Sequence, residues 1–141
     1  MANRSSILFV CTGNSVRSQM AEGFARYYGG AAVEVASAGT RPAGLNDFAI
    51  WAMNETGIDI SKHTSDSIDS IDTSGVDYVI TLCGDARDNC PSLDGRNVDH
   101  WALPDPAGVR GGPQVRIEAF RTVRNEIEKR VKGLLTGIFE G

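Results

Sequence analysis

One stretch near the amino terminus constrains the fold of this chain more than any other. Residues 7–10 are four consecutive apolar residues, which predict a short buried strand that ends at Cys11. From residue 20 to residue 28, apolar side chains recur at the spacing of a helix face. The chain between these elements must turn tightly from a strand into a helix. That loop carries a thiol at one end and Arg17 at the other.

A loop of this kind can both bind an anion and activate a nucleophile. Backbone N–H groups at a helix N-terminus favour negative charge. The same donors and a guanidinium favour the thiolate of a cysteine, whose pKa is otherwise about 8.5. Arg17 can hold two oxygens of phosphate, sulfate or arsenate. The residues expected to surround the anion are Thr12, Gly13, Asn14, Ser15, Val16, Arg17 and Ser18.

Individual residues of the loop suit these roles. Gly13 and Asn14 tolerate a backbone with positive φ, and the Ser18 hydroxyl is placed to donate a hydrogen bond to the Cys11 thiolate. The alternative is a buried cysteine at a strand end that is followed by an unrelated surface arginine. The strand before the loop, the helix after it and the glycine within it favour the anion site. This stretch resembles the low-molecular-weight tyrosine phosphatase superfamily.

Composition narrows the class of protein. The length of 141 residues suits a single domain over residues 1–141. The net charge of −4 gives no sign of the basic surface that binds nucleic acid. No apolar run could span a bilayer, and no signal-peptide core precedes Cys11. We therefore expect a cytoplasmic protein with no membrane partner, and a monomer. In that compartment three cysteines favour a redox or catalytic use over a disulfide framework.

Strand and helix signals alternate along the chain, which predicts a three-layer α/β/α fold around a four-stranded parallel sheet. Strands are expected at residues 6–10, 33–38, 78–82 and 97–101. Helices are expected at residues 17–28, from the N-cap Asn46 to Gly57, and at residues 115–135, with a short helix near residues 66–71. Cys11, Cys83 and Asp105 would then lie at the carboxyl edge of the sheet, where open α/β sheets bind ligands.

Two further cysteines follow the third strand. Cys83 ends it, and Cys90 lies seven residues later, so the two thiols can pair only if the segment is looped or unwinds. Taken alone, they are more typical of a core residue and an incidental surface thiol. Beside an activated Cys11, they would permit a relay in which each thiol attacks the preceding sulfur. A hydrolytic phosphatase needs no such relay.

The wider pattern resembles the thioredoxin-coupled arsenate reductases of this superfamily. The motifs that carry the resemblance lie at residues 11–18, 81–83, 89–91 and 101–106. The resemblance implies that Cys11 attacks arsenate, that Asp105 is the general acid, and that Cys83 and then Cys90 resolve the intermediate. It implies thioredoxin as the reductant, phosphate and sulfate as analogues, and no required cofactor. The positions that match a potassium site in some of these reductases are Asn14, Glu22, Ser37 and Asp66.

Other interpretations remain open. A phosphatase would use Cys11, Arg17 and Asp105 on phosphate monoesters, but Val16 and Ala107 stand where the phosphatases it resembles carry a cysteine and an aromatic residue. An oxyanion-binding or redox-sensing module would bind the anion without turnover. By position alone, Asp105 is equally typical of a turn. The four potassium positions are also compatible with an ordinary polar network.

Overall fold

The computed structural model describes residues 4–82 and 97–140, and it contains a sheet of four parallel strands. The strands are β1 (Ser5–Cys11), β2 (Val33–Gly39), β3 (Tyr78–Thr81) and β4 (Asn97–His100), in the order β2-β1-β3-β4. Each lies within one residue of its predicted bounds. The described α-helices are α1 (Arg17–Gly29), α2 (Asp47–Asn54) and α3 (Pro113–Glu140). The predicted α/β fold with a four-stranded parallel sheet is confirmed.

Strand β1 lies inside the sheet, between β2 and β3. Its apolar residues alternate between two hydrophobic clusters, because successive side chains of a strand point to opposite faces. Ile7 and Phe9 join the larger cluster with the three α-helices, whereas Leu8 and Val10 join a smaller one. The smaller cluster is closed by Ile68 and its neighbours before β3. An unbroken apolar run is what a strand covered on both faces requires.

The described connections between these elements contain three short 3₁₀ turns, at Gly30–Ala32, Ile68–Ser70 and Pro106–Gly108. The segment predicted as a short helix near residues 66–71 is the second of these turns. The predicted N-cap of α2 is confirmed, because the Asn46 side chain accepts a hydrogen bond from the backbone N–H of Ala49 at 3.1 Å.

Helix α3 is longer than the sequence predicts. It begins two residues earlier, at Pro113, because proline lacks an N–H and suits the first turn of a helix. It continues to Glu140 although Leu135 is its last buried residue, so the apolar periodicity alone ends it too early. No helix in residues 4–82 and 97–140 is long and apolar enough to cross a membrane.

Candidate active site

The loop after Cys11 joins β1 to α1 as the sequence predicts. Cys11 is the last residue of β1 and is 3% exposed. The carbonyls of residues 11, 12, 13 and 15 accept hydrogen bonds of 2.8 to 3.2 Å from the backbone that follows β2. Because the C=O and N–H of one peptide unit point in opposite directions, the next N–H groups face the other side of the loop. This is the arrangement that an anion-binding loop requires.

Helix α1 begins directly behind this loop. Its N-cap residue, Val16, provides no side-chain cap, and no acidic residue lies in the first turn. The N–H groups at this end of α1 therefore lack the carboxylate or hydroxyl oxygen that often satisfies such donors. Thr12, Gly13 and Ser15 are partly exposed, whereas Asn14, Val16 and Ser18 are buried. The loop thus combines a solvent-accessible edge with a helix N-terminus that favours an anion.

Asn14 holds the loop in its turned conformation. Its φ of 46° is the only positive φ of a non-glycine residue in the described part of the chain. The side-chain Nδ2 donates to Ser18 Oγ at 2.8 Å and to Ser37 Oγ at 2.9 Å, while Oδ1 accepts from the Asp66 backbone N–H at 2.8 Å. A left-handed residue costs about 1–2 kcal/mol. These three hydrogen bonds, two of them buried, offset this cost and hold the residue in place.

Ser18 has one contact that bears on the predicted hydrogen bond to Cys11. Its buried Oγ accepts the hydrogen bond from Asn14, so the hydroxyl proton remains available for another acceptor. Donation of that proton to the thiolate stays a prediction.

Gly39 is a positioning residue that the sequence prediction missed. It pairs with Cys11 across the sheet, and a Cβ atom built on it would lie 2.6 Å from the Thr12 carbonyl oxygen and 2.9 Å from the Asn14 nitrogen. Any side chain at this position would collide with the backbone of the loop. The only sequence signal is a glycine directly after the predicted strand at residues 33–38, where a glycine is equally typical of a strand end.

Arg17 connects three parts of the site. Its Nη1 donates to the carbonyl oxygens of Leu82 at 3.3 Å and Leu103 at 3.0 Å. The residue is 9% exposed, and its Nε has no hydrogen-bond partner among the described residues. A buried guanidinium N–H of this kind needs an acceptor. A tetrahedral oxyanion held by Nε and Nη2 would provide one, in the bidentate geometry that arginine favours.

Asp105 lies next to Arg17, as the general-acid prediction requires. Its Oδ2 is 4.0 Å from Arg17 Nη2, and its side chain is 51% exposed. The other oxygen, Oδ1, accepts from the Ala107 N–H at 2.9 Å and caps the Pro106–Gly108 turn. One carboxylate therefore both stabilises the turn and presents an oxygen near the predicted anion site. Its catalytic role stays a prediction.

The four residues predicted to bind potassium lie together, but they form a hydrogen-bonded network. Ser37 Oγ accepts from Asn14 and donates to Glu22 Oε1 at 2.6 Å, while Asp66 joins through its backbone N–H. The second oxygen of Glu22 accepts from Arg26 Nε at 2.8 Å. The side-chain oxygens of Asn14, Ser37 and Glu22 all have partners, and a guanidinium already lies against the carboxylate. The predicted potassium site stays a prediction.

Gln19 supports the loop from α1 and was also missed. Its Nε2 donates to the carbonyl oxygens of Asn14 at 3.0 Å and Thr64 at 2.8 Å. Both amide protons are thus used, and Oε1 lies 3.0 Å from His63 Nδ1. This pattern makes Nδ1 the nitrogen that carries a hydrogen, which it donates to Gln19 Oε1. Burial lowers the pKa of His63, although the nearby Glu22 carboxylate opposes that shift.

Cys83 and Cys90 lie outside the described residues, and so does the segment between them. What is described next to them is Leu82, which is buried and whose carbonyl is held by Arg17. The predicted roles of both thiols remain predictions.

Comparison with known proteins agrees with this geometry. Residues 6–140 match the family model for low molecular weight phosphotyrosine protein phosphatase. An arsenate reductase of Bacillus subtilis is 50% identical over 127 residues, which cover 89% of this chain and 91% of that protein.

Two similar solved structures are also arsenate reductases. A structure described as an arsenate reductase in the phosphate binding state has a TM-score of 0.81 at 38% identity, covering 95% of this chain and 98% of that one. A thioredoxin-dependent arsenate reductase of Corynebacterium glutamicum has a TM-score of 0.76 at 28% identity, covering 97% of this chain and 63% of that one. The chain therefore belongs to the low molecular weight phosphotyrosine protein phosphatase family, and these relatives within it are arsenate reductases.

Proposed function

We propose that this protein reduces arsenate to arsenite, with Cys11 as the nucleophile. The observation that carries the proposal is the placement of a buried thiol and a buried guanidinium at the two ends of the loop that joins β1 to α1. The similarity to proteins named arsenate reductase supports arsenate as the anion. Phosphate and arsenate are both tetrahedral oxyanions, so the neighbour described in a phosphate binding state supports a tetrahedral oxyanion as the ligand.

Binding would use the loop and Arg17 together. The N–H groups opposite the tethered carbonyls would donate to the arsenate oxygens, and Nε and Nη2 of Arg17 would hold two of them. The same donors lower the pKa of a thiol at the loop base, because they favour its thiolate form. Substrate binding and activation of the nucleophile therefore have one structural cause.

The first chemical step would form a bond between Cys11 Sγ and arsenic. A hydroxyl group leaves the arsenic, and Asp105 donates the proton that converts it to water. A positioned acid of this kind contributes roughly 10²- to 10⁴-fold to the rate. Arg17 Nη2 lies 4.0 Å from the Asp105 carboxylate, so the acid and the anion-binding guanidinium are neighbours.

The reduction itself would use the other thiols. The Cys83 thiolate attacks Cys11 Sγ, the electron pair of the S–As bond passes to arsenic, and arsenite leaves with a Cys11–Cys83 disulfide behind it. The Cys90 thiolate then attacks Cys83 and releases the Cys11 thiolate. A dithiol of thioredoxin reduces the resulting Cys83–Cys90 disulfide. The similarity to a thioredoxin-dependent arsenate reductase supports this choice of reductant.

Hydrolysis of phosphate monoesters is the second candidate. It is favoured by the family model, which is that of a phosphotyrosine protein phosphatase, and by the position of Asp105 beside Arg17. In this reaction water resolves the thiol intermediate, so Cys83 and Cys90 would be dispensable. The two candidates therefore differ in what they require of those cysteines.

The test is arsenate-dependent NADPH oxidation with thioredoxin and thioredoxin reductase, with p-nitrophenyl phosphate hydrolysis measured alongside. Cys11→Ser, Cys83→Ser and Cys90→Ser should each abolish continuous arsenate reduction. A single-turnover assay without thioredoxin then separates the steps. The wild type and Cys90→Ser should each release about one arsenite per chain, whereas Cys83→Ser should release none.

Other outcomes would redirect the proposal. Arsenate reduction that persists in Cys83→Ser would eliminate the relay. Phosphatase turnover without arsenate reduction would establish the second candidate. Arsenate turnover only with glutathione and glutaredoxin would retain the chemistry and replace the reductant. Tight anion binding with neither reaction would indicate a binding or sensing module.

A further inference from the structure

Glu22 is a buried carboxylate whose charge must be balanced. It lies on α1, and its side chain is 10% exposed. Removing an ionised carboxylate from water is costly unless a positive charge and hydrogen bonds accompany it. Arg26, one helical turn later, provides both: its Nε donates to Glu22 Oε2 at 2.8 Å, and its Nη2 donates to the Val35 carbonyl at 2.7 Å. The arginine is thus fixed between α1 and β2.

Two hydrogen bonds connect the Glu22 carboxylate to the anion loop. Its second oxygen accepts the Ser37 hydroxyl proton at 2.6 Å, which orients Ser37 Oγ to accept from Asn14 Nδ2 at 2.9 Å. Asn14 is the left-handed residue on which the loop conformation depends. An ionised Glu22 therefore specifies the direction of each hydrogen bond between the carboxylate and the loop.

Within residues 4–82 and 97–140, His63 is the other basic group that lies near Glu22. His63 Nδ1 is 4.0 Å from Glu22 Oε2, but its hydrogen is donated to Gln19 Oε1, and burial lowers the pKa of the ring, which disfavours a positive charge on it. A hard cation would share the oxygens of Glu22, Ser37 and Asn14 with these hydrogen bonds, and it would be repelled by the Arg26 guanidinium, which lies 2.8 Å from Glu22 Oε2.

We propose that Arg26 performs the task that a bound monovalent cation would otherwise perform, so that the anion loop is ordered without potassium. The guanidinium neutralises Glu22. The hydrogen bonds from Ser37 to Glu22 and from Asn14 to Ser37 then hold the loop in one conformation. Arg26 is a positioning residue, because it touches neither the predicted anion site nor Cys11. The proposal does not rest on the reaction that the protein catalyses.

The first test uses the wild-type protein. Its thermal unfolding is measured at pH 7.5 in potassium, sodium and choline chloride at one ionic strength of about 0.15 M. The three midpoints should agree within about 1 °C, because no site selects potassium. A midpoint that is several degrees higher in potassium than in both other salts would overturn the proposal without any variant.

The second test removes the positive charge of Arg26. Arg26→Ala should lower the midpoint in choline chloride by roughly 3–8 °C, since it leaves a buried carboxylate unpaired. Potassium should restore at least half of this loss, by filling the space that the side chain leaves, and Arg26→Lys should resemble the wild type. The matched control is Arg130→Ala, which removes an exposed i,i+4 partner of Glu126 on α3 and should show no response to potassium.

A binding measurement links the same charge to the loop. Inorganic phosphate should bind Arg26→Ala about tenfold more weakly in choline chloride than in potassium chloride, and should bind the wild type equally in both. If Arg26→Ala unfolds at the same temperature as the wild type in choline chloride, the positive charge of Arg26 is not needed to neutralise Glu22. If it is destabilised and potassium restores neither stability nor phosphate binding, the role of Arg26 is packing alone. Either result would refute the proposal.

Discussion

Adding one methyl group at Gly39 should impair the anion loop more than its size suggests. The Cβ of Gly39→Ala would lie 2.6 Å from the Thr12 carbonyl oxygen, and ordinary contacts begin near 3.4 Å. The backbone on one side must therefore move by about 0.8 Å. Gly39 itself is held by the pairing with Cys11 and by donation of its N–H to the Asp66 carbonyl at 2.8 Å. The loop is consequently the part that must yield.

The size of the effect follows from that displacement. Overpacking in a closely packed region costs about 1–3 kcal/mol of unfolding free energy. A misplacement of about 1 Å in a catalytic group can cost about 10²-fold in rate. We therefore expect Gly39→Ala to unfold at lower urea concentration and to lose about 10- to 100-fold in kcat/KM for arsenate. Phosphate, as a competing ligand, should bind more weakly as well.

The assay is urea unfolding combined with thioredoxin-coupled arsenate reduction. Gly75→Ala is the matched control, because a Cβ there meets no atom within 4 Å, and it should change stability by less than about 0.5 kcal/mol. The reasoning fails if Gly39→Ala keeps kcat/KM and the affinity for phosphate within about twofold of the wild type. A stability loss without any change at the site would mean that β2, and not the loop, absorbs the strain.

Three further predictions address separate features of the molecule. Arg121 and then Arg124 hold the pKa of Glu55 at about 2, below its usual 4.5, so the stabilising contribution of this carboxylate is complete above about pH 4.5 and lost as the pH falls toward 2. The stability advantage of the wild type over Glu55→Gln should therefore shrink between pH 5 and pH 2 in thermal unfolding, and a constant difference would contradict this. Asp105→Asn should lower kcat for arsenate by about 10²-fold or more without weakening phosphate binding, since it removes a proton donor and a negative charge; an unchanged kcat would leave Asp105 as a turn cap only. Gly133→Ala, inside α3 with no atom within 4 Å of its Cβ, should raise stability by about 0.5–1 kcal/mol in urea unfolding, and a decrease would show an unrecognised contact.

The sequence predicts those parts of the fold that short-range physics determines. Residues 7–10 could be recognised as a buried strand because both faces of β1 are covered, which leaves no polar position in the run. The loop could be recognised because a thiol, a glycine and an arginine stand between a strand and a helix. The sequence offers two residues of the loop, Gly13 and Asn14, that tolerate a positive φ. In the structure, Asn14 is the one that adopts it.

The missed residues act through contacts that are distant in sequence. Gly39 matters because β2 pairs with β1 in a register that places it against Thr12, and no local pattern encodes that register. Gln19 resembles any polar residue on a helix until its partner Thr64, 45 residues away, is known. Arg26 follows Glu22 at a common helical spacing, and only the burial of Glu22 distinguishes this pair from a surface ion pair.

The double hydrogen bond from Arg17 Nη1 to Leu82 and Leu103 affects how substitutions of this arginine should be interpreted. The same side chain that is expected to bind the anion also ties the end of β3 to the segment before Asp105. An Arg17 variant would therefore lose a ligand contact and a crosslink between two chain segments at once. Lysine cannot substitute, because a single ammonium lacks the planar fork in which one nitrogen donates to the two carbonyls while the other two face the expected anion. A loss of activity in an Arg17 variant would therefore combine lost anion affinity with lost tertiary contacts, whereas Cys11→Ser replaces one sulfur atom and leaves these contacts in place.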